Sequence, residues 1–321
     1  MNASNVIEIS LVVPTYNEEG NVLVLTKEIQ HIMQQLEITA YEIIFIDDGS
    51  TDHSLELIKE MRQADQRIHF LQFSRNFGHQ HALKAGLDYA RGNAVISLDA
   101  DLQHPPALIM EMIPHWRSGA QVVYTRRKDV QNTGLFKKWS AKAFYWLANR
   151  ISEVPIEEGT ADFRLLDRRV VEAIKGYKES DLFLRGLIPT LGFRQVAIDY
   201  IPAARHSGQT KYSLAKMFHF ALNGITSSSA KPLYFSIYIG LFFAILAFLY
   251  GCYAIYIALF TNDAITGWSS LIASVLFIGG IQMILIGIVG IYLGKLFVQS
   301  KQRPTYIVQS QTILTDKIDE A

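Results

Sequence analysis

Short apolar runs alternate with longer amphipathic stretches along the first two thirds of the chain, from Ile9 to about Ala204. The amphipathic stretches Asn21–Leu36 and Asp52–Ala64 have helical patterns, and Asp52 can cap the second one. The short runs are rich in β-branched residues, as buried strands of a parallel sheet are; they are Ile9–Val13, Glu42–Ile46, Ile68–Phe73, Ala94–Leu98 and Gln121–Thr125. The pattern predicts an α/β fold with a mostly parallel sheet, whose ligands bind at the carboxyl ends of the strands.

Two later stretches are apolar for long enough to cross a membrane. Leu233–Phe260 and Leu271–Gly294 contain no charged residue, and each exceeds the roughly 20 residues that span the hydrocarbon core. The loop between them has no Lys or Arg, whereas basic residues flank both outer ends, so both flanks and the N-terminal domain are predicted to be cytosolic. Met1–Ser10 lacks the pattern of a signal peptide, which agrees with this topology. A hairpin of two helices in a soluble core is the alternative.

Two further segments have the composition of helices that lie in the headgroup region of a membrane. In Leu135–Ile151, leucine, phenylalanine and tryptophan side chains share one helical face, and the lysines lie outside it. An ordinary amphipathic core helix has the same pattern, so both interpretations stay open. Ser213–Ser228, just before the first apolar stretch, is a weaker candidate.

Charge and cysteine content exclude several classes of protein. Lys+Arg and Asp+Glu number 30 each, so no overall basic field indicates nucleic acid as a partner. The one cysteine, Cys252, excludes a disulfide framework and a cysteine metal site.

Acidic residues follow three of the predicted strands. Glu18 and Glu19 come after the first strand, and Asp47 and Asp48 end the second. Both positions suit a ligand, but helix N-termini and capped turns favour the same residue types.

The segment Asp99–Asp101, after the fourth strand, is the sharpest signal. Two carboxylates at positions i and i+2 are costly to desolvate unless they are paired, and a divalent cation that bridges them to a diphosphate would pair them. An Asp-x-Asp sequence alone is common by chance. This one stands between an apolar strand and the Pro105-Pro106 stop, which favours the metal interpretation.

Five ordered motifs resemble a known enzyme family. Pro14–Glu19, Asp47–Ser50 and Asp99–Asp101 resemble the landmarks of the inverting family 2 glycosyltransferases of GT-A fold. Ser74–Gly78 and Gly159–Arg168 resemble the polyprenyl-phosphate branch of that family, which includes the GtrB type and the dolichol-phosphate mannose synthases. The resemblance covers nearly the whole chain, including two C-terminal membrane helices.

The resemblance implies a role for each matching residue. Asp99 and Asp101 would bind Mg²⁺ or Mn²⁺ and the donor diphosphate, with Gln103 beside them. Asp162, Asp101 and Arg164 form the implied catalytic set. A lipid monophosphate is largely dianionic at neutral pH and needs little general-base help, so we expect Asp162 to orient the sugar or the acceptor. The alternative that Arg164 is a structural partner of Asp162 stays open. The residues implied around the nucleoside are Pro14, Tyr16, Glu18, Asp48 and Ser50.

Repulsion between the acceptor phosphate and the donor diphosphate requires cations. Arg126 and Arg127 follow the fifth strand, and Arg205 and Lys211 lie in a loop that resembles the family's phosphate-binding loop. A generic positive-inside cluster is the alternative for that loop. The histidines lack the spacing of a zinc site and are interpreted as solvated or loop residues; they are His79, His81 and His104.

The predicted organisation has five parts. They are a GT-A nucleotide-sugar-binding core at 1–130, an acceptor-side part with an interfacial helix at 131–212, a juxtamembrane helix at 213–230, two transmembrane helices at 231–299 and a cytosolic tail at 300–321. Gly290-x-x-x-Gly294 is a close-packing pattern, either against the first span or, as the resemblance to the GtrB type implies, in a homo-oligomer, for which a tetramer is one candidate.

The predicted reaction is the inverting transfer of a hexose, with glucose favoured, from a UDP- or GDP-sugar to polyprenyl phosphate. The resemblance places it at the cytoplasmic face of the bacterial inner membrane. A catalytically silent, membrane-tethered nucleotide-sugar sensor or scaffold is the alternative from another class. A dinucleotide oxidoreductase is disfavoured, because no Gly-x-Gly-x-x-Gly follows the first strand.

Overall fold

The computed structural model describes residues 7–128, 159–179, 183–201, 231–260 and 267–313. The strands are β1 (Ile9–Thr15), β2 (Tyr41–Asp47), β3 (Ile68–Phe73), β4 (Ala94–Ser97), β5 (Val122–Arg127), β6 (Thr160–Asp167), β7 (Gln195–Tyr200) and β8 (Val308–Gln311). The helices are α1 (Val22–Gln35), α2 (Ser54–Ala64), α3 (His79–Tyr89), α4 (Ile109–Arg117), α5 (Arg168–Lys175), α6 (Leu184–Thr190), α7 (Lys231–Phe260) and α8 (Trp268–Ser300), with a 3₁₀ turn at Pro106–Leu108. All five strands predicted from the apolar runs are present.

The strands form one sheet of eight in the order β7-β5-β6-β4-β1-β2-β3-β8. The four strands β4, β1, β2 and β3 are parallel, so their carboxyl ends lie at one edge. The strand β6 is antiparallel to both of its neighbours, β4 and β5, and β8 is antiparallel to β3. The predicted α/β class is confirmed, and β6 and β8 are antiparallel strands that the apolar pattern did not indicate.

Helices cover both faces of the sheet. Successive side chains of a strand point to opposite faces, and here both sets are apolar and need to be buried. Leu11 and Phe45 belong to a core that includes residues of α1, α2 and α4. Val12 and Ile46 belong to the core on the other face, with residues of α3, α5 and α6. The helix α3 crosses very close to β1, since a Cβ on Gly86 would lie 2.1 Å from Val12 Cγ1. This close approach fixes the N-terminus of α3 beside the carboxyl ends of the strands.

The two C-terminal helices are long and apolar. The helix α7 has 30 residues and α8 has 33, and most of their described apolar side chains are exposed. Within the described residues, Phe277–Ser300 is long and apolar enough to cross a membrane, and Ile237–Tyr250 is a shorter apolar segment. Both predicted hydrophobic stretches are therefore helical over most of their length.

The chain returns to the sheet after α8. Leu71 pairs with Gln311 and Phe73 with Val308 in antiparallel register, and Ile313 is buried. The predicted tail at 300–321 therefore includes an edge strand of the eight-stranded sheet.

Other predicted parts fall outside the described residues. These are the helix at Leu135–Ile151, the helix at Ser213–Ser228 and the loop with Arg205 and Lys211. The predicted domain boundaries stay predictions.

Candidate active site

The candidate site lies at the carboxyl edge of β1, β2 and β4, where the three predicted acidic segments meet. The loops after β1 and β2 are fastened to each other by hydrogen bonds. The Asn17 amide donates to Ser50 Oγ at 3.0 Å, and the Thr51 amide donates to Asn17 Oδ1 at 2.8 Å. The Glu18 amide donates to Ser54 Oγ at 2.8 Å. Ser50, which was predicted to contact the nucleoside, thus holds the loop that would border it.

The other predicted donor residues on this loop differ in exposure. Pro14 is buried within β1, whereas Tyr16 is 47% exposed. Glu18 is half-buried and accepts from Asn21 Nδ2 at 2.6 Å. Burial raises the pKa of Glu18, the hydrogen bond from Asn21 opposes this, and the nearby charge of Asp101 adds to the rise. Glu18 and Asp101 therefore face the same acidic space.

Asp48 is bound by backbone donors from the Ser74–Gly78 segment. The amides of Phe77 and Gly78 donate to its two carboxylate oxygens at 2.6 and 2.9 Å. Burial raises the pKa of Asp48, and these two hydrogen bonds oppose the rise without cancelling it. Gly49 has a φ of +75°, and a Cβ there would lie 2.8 Å from the carbonyl carbon of Arg75. Only glycine fits this approach, so the two motifs form one structural unit.

The Asp99–Asp101 pair lies directly after β4. Asp99 is 28% exposed, and its Oδ1 accepts no hydrogen bond within the described part of the chain. Burial raises the pKa of Asp99, while His79 and His104 oppose the rise. Asp101 is oriented by Gln103, whose backbone amide and Nε2 donate to it at 3.1 and 2.6 Å. Among the described residues, no third His, Cys, Asp or Glu completes a metal-binding group with them.

Asp162 on β6 is the centre of a buried polar cluster. Arg185 Nη2 donates to its Oδ2 at 2.9 Å, and Gln80 Nε2 donates to the same oxygen at 3.3 Å. His79 Nε2 lies 3.7 Å from Oδ2, and Arg164 Nη2 lies 3.6 Å from Oδ1. The Ser97 hydroxyl donates to the backbone carbonyl of Asp162 at 2.6 Å, which joins this part of β6 to the end of β4.

These contacts keep the Asp162 carboxylate ionised. Burial alone would raise its pKa, but the nearby His79 ring and the charges of Arg185 and Arg164 hold the pKa well below its usual range. Arg164 is itself buried, and burial lowers its pKa to about 10, so the guanidinium stays charged at neutral pH. Both predicted roles of Arg164, in the site and as a partner of Asp162, agree with its position.

Two histidines contact Asp99, although the sequence indicated only solvated or loop residues. His79 Nε2 lies 3.3 Å from Asp99 Oδ1, and His104 Nδ1 lies 3.5 Å from Asp99 Oδ2. The ring of His104 also packs against Phe163 and Tyr200. The available signals were that His79 begins α3 directly after Gly78, and that His104 follows the acidic pair at short range. His104 lies in a loop, as interpreted, and His79 is the first residue of α3; the contacts of both with Asp99 were not predicted.

The two predicted phosphate-binding arginines at the end of β5 differ in their surroundings. Arg126 donates to Asp199 through Nε and Nη2, at 2.7 and 3.2 Å, and Lys128 lies 2.7 Å from the same carboxylate. Arg127 at the end of β5 is exposed. Arg185, which contacts Asp162, was not predicted at all, because it lies on a short helix with no motif of its own.

Comparisons with known proteins agree with the site. The family model described as Glycosyl transferase family 2 matches residues 10–175, which contain all three acidic segments and Asp162. The glycosyltransferase YkcC of Bacillus subtilis is 43% identical over 313 residues, covering 97% of this chain and 96% of that protein. The bactoprenol glucosyl transferase of Shigella phage SfV is 42% identical, covering 95% of this chain and 99% of the relative.

A solved structure is similar at a greater distance. The mannosyltransferase PcManGT from Pyrobaculum calidifontis, in complex with GDP-Man and Mn²⁺, has a TM-score of 0.46 and 15% identity, and covers 89% of this chain and 87% of that chain. This likeness is too remote to bear on function. The family model and the two sequence relatives decide the classification, and the chain belongs to glycosyl transferase family 2.

Proposed function

We propose that this enzyme transfers a hexose, with glucose favoured, from a UDP- or GDP-sugar to polyprenyl phosphate. The observation that carries the proposal is the meeting of the Asp99–Asp101 pair and the Asp162 cluster at one sheet edge. The acceptor follows from relatives such as the SfV protein, whose name states bactoprenol and glucosyl transfer. Coverage of both chains is nearly complete, so the comparison applies to the whole described architecture.

Asp99 and Asp101 are the residues that would hold a divalent cation. Asp99 Oδ1 is buried and accepts no hydrogen bond from the described residues, although His79 Nε2 lies 3.3 Å away, so the oxygen has a lone pair to offer a cation. An all-oxygen donor set suits Mg²⁺ or Mn²⁺, with the remaining positions filled by phosphate oxygens and water. When bound, the cation would neutralise the charge that develops on the departing diphosphate.

The acceptor needs no deprotonation. One oxygen of the lipid phosphate would attack the anomeric carbon, the bond from that carbon to the donor diphosphate would break, and the nucleoside diphosphate would leave with inversion. Asp162, which stays ionised, suits a positioning role for the sugar or the acceptor rather than proton abstraction. Arg185 and Arg164 bring positive charge to the space where the two phosphate groups approach each other.

We further propose that α7 and α8 anchor the enzyme in the bacterial cytoplasmic membrane, with the catalytic domain and both termini in the cytosol. Their length and exposed apolar surface support this topology, together with the basic residues on the outer flanks. The Gly290-x-x-x-Gly294 pattern on α8 supports self-association into a homo-oligomer. The position of Arg205 and Lys211 just before the anchor favours a role in binding the acceptor phosphate.

A radiolabelled transfer assay with the purified full chain tests the proposal. The protein would receive undecaprenyl phosphate and a series of UDP- and GDP-sugars, with Mg²⁺ or Mn²⁺. Metal-dependent formation of a lipid-linked sugar is expected, with loss of product in Asp101→Ala and normal product in the surface variant Glu172→Gln. Binding of nucleotide-sugar without any product would overturn the proposal and favour the sensor or scaffold.

A further inference from the structure

We propose that the segment after the second long helix positions the donor-binding loop, and that Tyr306 is the residue through which it acts. The inference rests on the proposed function, because it takes Asp48 as part of the donor site. It assigns a role in catalysis to a segment that lies more than 100 residues beyond the family 2 match, which ends at residue 175.

Tyr306 contacts the end of β3 directly. Its ring stacks on Phe73, with centroids 5.3 Å apart and an interplanar angle of 14°. Phe73 in turn meets the Phe77 ring edge-on at 5.6 Å. The neighbouring Ile307 carbonyl accepts a hydrogen bond from the Ser74 amide at 3.0 Å. The segment after α8 therefore contacts Ser74 directly, and it contacts Phe77 indirectly through the Phe73 ring.

The held segment is the one that binds Asp48. The Phe77 and Gly78 amides donate to the Asp48 carboxylate, and the Arg75 guanidinium lies over the Phe77 ring, 4.1 Å from its centroid. A short path therefore runs from Tyr306 through two aromatic rings to a carboxylate at the donor edge. Stacked and edge-on aromatic pairs are stabilising beyond the apolar area that they bury, so these contacts hold the loop in place.

Tyr306 also holds the helix that brings His79 and Gln80 to the site. Its hydroxyl donates to Asp88 Oδ2 on α3 at 3.0 Å, and Lys84 pairs with the other oxygen of that carboxylate. Tyr306 thus joins the loop after β3 to α3. Since the segment begins where α8 ends at Ser300, the membrane anchor and the donor site share this connection.

Kinetics of the full chain in detergent, with the donor sugar varied, would test the inference. Tyr306→Leu removes the stack and the hydroxyl but keeps apolar volume, and Tyr306→Phe keeps the stack. We expect Tyr306→Leu to raise the KM for the nucleotide-sugar on the order of five- to tenfold, with kcat changed less than about threefold. Tyr306→Phe is expected to stay within about twofold of the wild type, because the stack persists.

The control variant, on the strand β8 that follows Tyr306, is Ser310→Ala. It removes the hydrogen bond from Ser310 Oγ to Gln72 Oε1 at 2.7 Å and leaves the aromatic path intact, so KM should not change. Hydrogen exchange of the peptide that covers residues 74–78 gives a readout independent of substrate. Faster exchange in Tyr306→Leu than in Ser310→Ala is expected.

The outcomes separate the inference from the proposed function. If Asp48→Asn raises the donor KM but Tyr306→Leu changes neither KM nor exchange, the inference is overturned and the proposed function stands. If Asp48→Asn leaves the donor KM unchanged, the assignment of Asp48 to the donor site fails and the inference fails with it. A lower melting temperature of Tyr306→Leu with an unchanged KM shows a purely structural role and also overturns the inference.

Discussion

Arg185 and Asp162 form a close ion pair, with Nη2 2.9 Å from Oδ2, although they lie 23 residues apart on different elements. The side chain of Asp162 is only 9% exposed, whereas that of Arg185 is 31% exposed. The carboxylate therefore depends on the pair more than the guanidinium does, because a buried charge without a partner is costly. Arg185 also reaches the solvent side of the cluster, where an anionic substrate would arrive.

Replacement of Arg185 should impair turnover. Arg185→Met removes the partner that lies closest to the Asp162 carboxylate among the four contacts described, so we expect kcat/KM to fall roughly 10- to 100-fold. Arg185→Lys keeps the charge but loses the planar guanidinium, and an intermediate effect is expected. Steady-state kinetics would check both variants, with Arg169→Met on the surface as the control. Equal rates in Arg185→Met and the control would contradict the role of the pair.

Asp162→Asn tests the role of the carboxylate itself. The variant keeps the shape but loses the charge that Arg185, Arg164 and His79 face. We expect kcat to fall by roughly 100-fold while the affinity for the nucleotide-sugar changes little, because Asp48 and the loops after β1 and β2 stay in place. Titration calorimetry and transfer rates would separate the two effects. Turnover close to that of the wild type would contradict a role for Asp162 in catalysis.

Gly49→Ala should disrupt the loop that borders the donor site. The backbone has a positive φ there, and the new Cβ would lie 2.8 Å from backbone atoms of Arg75 and Asn76. We expect a loss of about 1–3 kcal/mol in stability and a higher KM for the donor. Gly20→Ala is the matched control, since nothing lies within 4 Å of a Cβ at that position. Thermal unfolding and donor kinetics would check the pair, and identical behaviour of the two variants would refute the strain argument.

The acidic segments were predictable because each is local to a strand end. Parallel strands place their carboxyl ends together, so Asp48, Asp99 and Asp101 could be assigned to one edge from the apolar pattern alone. The motif around Asp162 pointed to the same site only through family resemblance. Its physical placement requires β6 to enter the sheet antiparallel between β4 and β5, and such a non-local pairing leaves no periodic signal in the sequence.

The unpredicted residues share the same cause. His79 and Arg185 approach the site from α3 and α6, whose positions depend on packing across the sheet rather than on local spacing. The tail was missed because β8 is only four residues long, and its burial is partial. The sequence alone also does not distinguish a charged side chain that binds substrate from one that pairs with a neighbouring side chain. Arg126, which pairs with Asp199, is an example.

His69, at the amino-terminal side of the sheet, should make stability depend on pH. Burial lowers its pKa to about 4; Glu42 opposes this shift, whereas Arg62 and Arg91 add to it. Its Nε2 accepts from Arg91 Nη2 at 3.2 Å, an arrangement that requires the neutral ring. The unfolded chain has a pKa near 6.5 at this residue and binds a proton more readily than the folded chain does.

The His69 contribution is therefore fully present above about pH 6.5 and is lost as the pH falls towards 4. By pH 4 the loss amounts to roughly 3 kcal/mol, because the two pKa values differ by about 2.5 units at about 1.4 kcal/mol each and the folded ring is half protonated there. His69→Gln keeps an acceptor for Arg91 but has no proton to gain, so its melting temperature should fall less between pH 6.5 and 4 than that of the wild type. The measurement is the melting temperature of both proteins at several pH values in this range. Equal decreases in the two proteins would contradict a contribution of His69 to the pH dependence.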